Sequence, residues 1–519
     1  MLFNSYEFIF LFFPVTYLVF FRLGKIEHKV AAGWLAAASV FFYGWWNPAY
    51  VALLALSVLF NYTMGLAMLR AGAAGNNRRK KQFLILAIFV NLGTLAYFKY
   101  AHFLIDNFDL VFGSSLRLGD IILPLGISFF TFTQITYLVD TYQGKAKEYS
   151  LVHYGLFVTY FPHLIAGPIL HHSEMMPQFG KREVYRLNYQ DLATGLTIFV
   201  IGLFKKVIIA DGVGANVAPL FEGAQSGLAP GFVESWCGAL AYTFQLYFDF
   251  SGYSDMAIGM SLMFGIRLPI NFNSPYKAVN IIDFWRRWHM TLSRFLRDYL
   301  YIPLGGNRKG RARRYLNLMV TMLLGGLWHG AGWTFVLWGG LHGVYLIVNH
   351  AWRAFKGRVG LDLLPSTRWS RGLSCLVTFA AVVAGWVIFR AASMEAAFRI
   401  LRGMVGLNGF ALPDVWLPKW GAAGQWFAQH GVVFANLVTL PHTGVINWIW
   451  FLMVAVWVAP NSQQMTAAFK PALIMLQEPG IASRWQWRPT VFNALIVAGV
   501  ALVSIANLSR NSAFLYFQF

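Results

Sequence analysis

Apolar stretches on the scale of a bilayer recur along this chain from its first turn to its last, and that property alone excludes most folds. They lie near residues 6–21, 31–47, 49–69, 83–104, 121–139, 151–170, 192–210, 232–264, 315–329, 333–350, 372–389, 446–459 and 490–507. Crossing about 30 Å of hydrocarbon takes roughly 20 helical residues. Within hydrocarbon each backbone polar group must be satisfied inside its own segment, so such runs are helices. The expected fold class is an all-α polytopic integral membrane protein, read as a single membrane domain over 1–519. Composition agrees, since 12% of residues are charged against about a quarter in soluble proteins. Two pieces, 122–140 and 161–170, are interrupted by Pro and Gly and read as broken or re-entrant, which only protein or a water-filled cavity tolerates.

Lysine and arginine number 41 against 21 acidic residues, a formal charge of +20. In a soluble chain that balance would point to nucleic acid. Here the basic residues cluster in short connections, where they orient helices against an anionic cytoplasmic leaflet, and no nucleic-acid partner is expected. The connections 72–82, 305–314 and 351–371 are the clearest cytoplasmic ones. The opening segment lacks a basic leader and a small-residue cleavage site, so it reads as a retained span. Its charges, Arg22, Lys25 and Lys29, follow the span and place the N-terminus on the outer side. Cys237 and Cys375 sit in apolar segments without metal spacing, so neither a disulfide framework nor a metal site is expected.

If 314 and 351 share the cytoplasmic side, residues 315–350 form a hairpin that rises into the membrane and returns. At about 1.5 Å per residue, His329 stands roughly 21 Å in and His342 about 12 Å from the returning end. An ionisable residue at membrane depth is a functional candidate, and "GGLWHGAGW" surrounds His329 with glycines that admit close approach. His342 reads as a structural neighbour and, like Trp328, as a candidate lining residue. The stretch 407–431, rich in aromatics, falls on the outer side and reads as interfacial, within a loop near 405–445.

The segment "NIIDFWRRWHMTLSRFLRDYLYIPLGG" (280–306) projects, at 100° per residue, as one amphipathic helix over about 279–305 on the cytoplasmic face. Phe284, Trp288, Leu292 and Phe295 share its apolar arc, and Arg286, Arg287, Arg294 and Arg297 the opposite one. His289 falls within the apolar arc, facing protein. A buried imidazole is held neutral, the state a general base requires. Farther up the chain "QLYFDFSGYSDMAIGM" sets Asp249, Ser251, Tyr253 and Asp255 in an apolar run. Carboxylates there need a polar cavity or a partner, and Arg267 or Arg286 is expected to serve. Gln134 and His163 are further lining candidates. Lys205 and Lys206, with Arg286 and Arg287, are candidates for a basic donor side, the two lysines either snorkelling to the cytoplasmic interface or attracting an anionic donor.

These stretches together resemble the membrane-bound O-acyltransferases, and within them the bacterial alginate O-acetyltransferase type. The resemblance rests on "LPLGISFFTFTQITYLVDTYQG", "FPHLIAGPI", "LFKKVIIAD", "QLYFDFSGYSDMAIG", "FWRRWHMTLSRFLRDYLYIPLGGNRKG", "MLLGGLWHGA" and "GWVIFR". It covers most of residues 1–390, a core including the hairpin, and weakens over 391–519. It implies a bundle of about 11 to 13 transmembrane or re-entrant helices around a central tunnel. It also implies His329 as the catalytic residue and His289 as its partner. One departure is "ILHHSE", where His171 and His172 stand in place of the arginine that relatives often carry.

The expected activity is transfer of acetyl groups from a cytoplasmic thioester across a bacterial inner membrane for O-acetylation of an exopolysaccharide such as alginate. Acceptance is direct or through a periplasmic acetyltransferase partner, within a polysaccharide synthesis complex. No bound cofactor is expected; acetyl-CoA or an acyl carrier protein is the donor. The alternatives are a channel or flippase without chemistry, and an enzyme of the same type acting on cellulose or teichoic acid.

Overall fold

The computed structural model describes residues 1–146, 150–360, 367–441, 443–473, 485–508 and 514–515. Its helices run the length of the chain, and among the described residues the only strands are Leu412–Pro413 and Phe434–Ala435, which pair in parallel. Four helices are long and apolar enough to cross a membrane unaided: Ala49–Ala73, Asn77–Phe112, Tyr189–Gly214 and Arg368–Arg390. Shorter apolar helices are Phe8–Gly24, Val445–Val458 and Val491–Ala506. Other apolar segments of the sequence are shortened by turns or interrupted by polar side chains.

The chain forms two compact units, Met1–Val207 with Ser251–Asn271 and Pro460–Phe519, and Ile208–Phe250 with Phe272–Ala459. In the first, Asn61 and Gln134 join helices Ala49–Ala73 and Ile127–Tyr142 by a side-chain hydrogen bond of 3.0 Å. The close crossing of Tyr189–Phe204 with Phe232–Met263 depends on glycine. A Cβ on Gly195 would stand 2.5 Å from the Gly259 oxygen, and one on Gly202 would stand 2.6 Å from the Gly252 oxygen. Small residues of this kind let helix backbones approach where lipid offers no hydrophobic drive. Both segments expected to be broken are interrupted apolar runs, in different ways. Phe161–Leu164 is a single short turn, whereas Ile127–Tyr142 is an unbroken helix that starts after Gly126 at φ 71°.

In the second unit the expected hairpin is present: Gly310–His329 ends at His329, and Trp333–Arg358 returns. Its helices touch through glycine, since a Cβ on Gly326 would meet the Phe335 oxygen at 2.2 Å and one on Gly339 the Met322 oxygen at 2.3 Å. The single amphipathic helix expected over 279–305 is not formed. Asn280 caps Ile281–Arg287, Trp288 is extended, His289 is left-handed at φ 42°, and the helix restarts at Met290–Phe295 before a wide turn over Leu296–Tyr301. The expected division of faces survives the break. Phe284, Trp288, His289, Leu292 and Phe295 are buried, and Arg286 and Arg297 are exposed.

Candidate active site

The hairpin and the broken segment bring the two histidines together. His329, the last residue of its helix, is 7% exposed, and His289 is 1% exposed. Their ring centroids are 6.5 Å apart with planes at 66°. Trp328 stands beside both, at 4.9 Å from His329 and 6.1 Å from His289. Phe389 lies 5.3 Å and Trp338 5.2 Å from His329, and the Phe250 ring meets His289 edge-on at 4.9 Å. Walls of carbon on this scale exclude water and strengthen any hydrogen bond made within them.

The break at His289 has a physical reading. A left-handed backbone at a residue other than glycine costs about 1–3 kcal/mol and persists only where the surroundings over-determine it. Here Trp288 packs on Phe272 at 5.0 Å, on Trp386 at 4.9 Å and on Phe284 at 5.7 Å. These anchors fix the residue before the break, and the backbone N–H of Asn273 donates to the Arg287 oxygen at 2.9 Å. The strained turn then presents the imidazole to the hairpin. His289 lies outside the spanning helices, and burial pushes its pKa down to about 3. It is therefore neutral at physiological pH, with one N–H to donate and one nitrogen to accept.

His342 occupies a different environment. It is fully buried, with Trp338 at 4.8 Å, Trp285 at 5.3 Å and Tyr345 at 5.5 Å. Trp338 therefore touches both His329 and His342. Among the described residues, neither ring nitrogen of His342 has a hydrogen-bond partner. Asp249, 2% exposed, precedes the Phe250 that touches His289. Arg286 is exposed, while Arg287 braces the local fold through Asp283 at 2.9 Å and the Asn273 carbonyl at 3.3 Å.

The remaining candidates belong to the first unit, with defined neighbours there. Lys205 and Lys206 are both drawn into the protein. Lys205 pairs with Asp255 at 2.6 Å, and Lys206, 1% exposed, lies over the Phe514 ring at 4.9 Å. The carboxylate of Asp255 also accepts from the Ser462 hydroxyl at 2.8 Å. Its partner is thus neither of the expected arginines: Arg267 pairs with Asp191 at 3.2 Å instead. An intramembrane carboxylate takes the cation that its own helix crossing supplies, which loop position alone does not reveal.

Gln134 belongs to an amide network, and Tyr253 packs between Phe3 at 4.7 Å and Phe514 at 4.9 Å. Ser251 is buried. His163 is tied by Nε2 to the Phe157 carbonyl at 2.8 Å, and His172 lies 3.2 Å from Asp140. The ring wall of Phe250, Trp338 and Phe389 was missed in the sequence, although "GWVIFR" and "LYFDF" carry two of its members.

The sequence matches the model of the membrane-bound O-acyltransferase family over residues 40–361. A peptidoglycan O-acetyltransferase of Helicobacter pylori is 47% identical over 440 residues, covering 79% of this chain and 81% of that protein. A probable alginate O-acetylase of Pseudomonas aeruginosa is 43% identical over 421 residues, covering 80% and 77%. A teichoic acid D-alanyltransferase of Bacillus subtilis is 30% identical over 274 residues, covering 51% and 68%.

Proposed function

This chain belongs to the membrane-bound O-acyltransferase family and is a membrane-integral acyltransferase; from that premise we propose that it carries acetyl groups from a cytoplasmic thioester to an acceptor outside the bacterial inner membrane. The observation that supports this most is the convergence of His329, at the tip of an intramembrane hairpin, with His289 on a strained turn. Acetyl-CoA or an acyl carrier protein supplies the thioester, drawn to the basic inner surface. The acceptor hydroxyl arrives from the outer side through a tunnel in a bundle of about 11 to 13 spanning or re-entrant helices.

His329 takes the proton of that hydroxyl as a general base. The freed oxygen attacks the thioester carbonyl carbon, the carbon–sulfur bond breaks, and the thiolate leaves towards the cytoplasm. His289, neutral, donates its N–H to the carbonyl oxygen where negative charge develops. The carbon-walled site limits the competing attack by water. In a covalent variant of the scheme, His329 first accepts the acetyl group itself and then passes it on. The acceptor is a polysaccharide of the alginate or peptidoglycan kind, or a periplasmic acetyltransferase that passes the group to such a polymer.

Purified protein supplied with a labelled acetyl thioester and a hydroxyl acceptor tests the assignment. His329→Ala, at wild-type protein level and melting temperature, loses about a thousandfold in transfer. Transfer at near wild-type rate by that variant would contradict the central role of His329.

A further inference from the structure

One cation on the helix that helps to wall His329 has no part in the scheme above. Arg390 ends the helix Arg368–Arg390 and is partly buried. Its guanidinium lies over the Phe221 ring at 5.6 Å, and among the described residues no carboxylate pairs with it. The residue before it, Phe389, forms part of the wall of His329 at 5.3 Å. Arg390 therefore stands one residue from the catalytic imidazole's own packing partner.

A second group meets it there. Tyr242 packs its ring 5.7 Å from Phe221, is 0% exposed, and among the described residues its hydroxyl has no hydrogen-bond partner. The Phe221 ring is thus shared by the Tyr242 ring and the Arg390 guanidinium. On the helix Phe232–Met263, Tyr242 and Asp249 are two turns apart and share a face. A buried hydroxyl left without a partner is unfavourable. With a guanidinium on the same ring, it offers donors to an oxyanion, which a planar N–H fork binds at two points.

We propose that Arg390 and Tyr242 bind an oxyanion of the acceptor, a carboxylate or a phosphodiester, and thereby hold its hydroxyl for attack at the His329 site. This makes the acceptor anionic, and it rests on the reading of His329 given above. The pair selects the acceptor; the bond-making chemistry stays with the histidines.

Three probes test it by tryptophan fluorescence of the purified full-length chain: an oligouronate, the same oligosaccharide with its carboxylates reduced to hydroxymethyl groups, and a glycerol-phosphate oligomer. The wild type is expected to bind a charged probe about tenfold or more tighter than the neutral one, and R390Q to narrow that preference to about twofold. R390K retains part of the preference, because it keeps the charge and loses the planar fork. Y242F narrows the preference about threefold and carries the test if R390Q does not fold.

A preference for the uronate identifies a carboxylate, and one for glycerol phosphate a phosphodiester. Equal binding of all three probes by the wild type, or a preference unchanged in a folded R390Q or in Y242F, would overturn the proposal. H329A separates the two claims, since it is expected to keep the charge preference and lose transfer. Acetyl transfer by H329A would remove the assignment of His329 and leave the anion site standing.

Discussion

In the unit that begins the chain, Asn61 and Asn91 exchange side-chain hydrogen bonds at 3.1 and 2.6 Å, and Gln134 accepts from Asn61 at 3.0 Å and from Tyr154 at 3.2 Å while donating to Ser57 at 2.9 Å. In the other unit, buried polar side chains meet rings. His329 is flanked by Trp328, Trp338 and Phe389, and His289 meets Phe250 from a left-handed backbone. Both clusters are buried, and both sit on elements that sequence periodicity reads as apolar. The amide cluster spends its hydrogen bonds on itself and so braces helices. The imidazoles stand among aromatic rings, His289 on a strained turn and His329 at a helix end, an arrangement suited to groups that engage a reacting substrate.

The comparison is open to attack at three points. The largest effect is expected at His289. Glycine adopts the left-handed turn without strain, which offsets part of the cost of emptying a buried ring site, so His289→Gly should lower the melting temperature only modestly while transfer falls about a hundredfold. Loss of stability with activity retained would make this imidazole a brace like Asn61. A smaller effect is expected for Asn61→Ala, which removes both side-chain bonds to Asn91 and one donor to Gln134. Denaturation in detergent should show a cost of about 1–2 kcal/mol, with transfer per folded molecule unchanged.

The smallest effect is expected at His342. Its two nitrogens have no hydrogen-bond partner among the described residues. His342→Phe keeps ring packing against Trp338 and should change stability by less than about 1.5 kcal/mol, with transfer retained. A severe loss of transfer in that variant would place His342 in the chemistry and blur the contrast.

The hairpin was legible in the sequence because its charges flank it and because glycine collects where its helices touch, at Gly326 and Gly339. His329 stood out as an ionisable residue in an apolar run. The break at His289 was not legible. Periodicity reports which face a residue takes, and His289 keeps its buried face; the backbone that delivers it is set by Trp288 packing against residues distant in sequence. The partner of Asp255 was hidden for a related reason, because Lys205 reaches it through a helix crossing and not through a neighbouring loop. Arg390 and Tyr242 were not legible, because an arginine at a helix end reads as an interfacial anchor, and only packing shows that no carboxylate among the described residues pairs with it.

The central claim, chemistry at His329 between two sides of a membrane, is tested most directly in proteoliposomes. Acetyl thioester is enclosed on the cytoplasmic face, and a hydroxyl acceptor is supplied outside. Wild-type protein should acetylate the external acceptor with stoichiometric release of internal thiol, and His329→Ala should yield neither product. External acetylation by His329→Ala, or transfer by the wild type only when donor and acceptor share one compartment, would contradict the account.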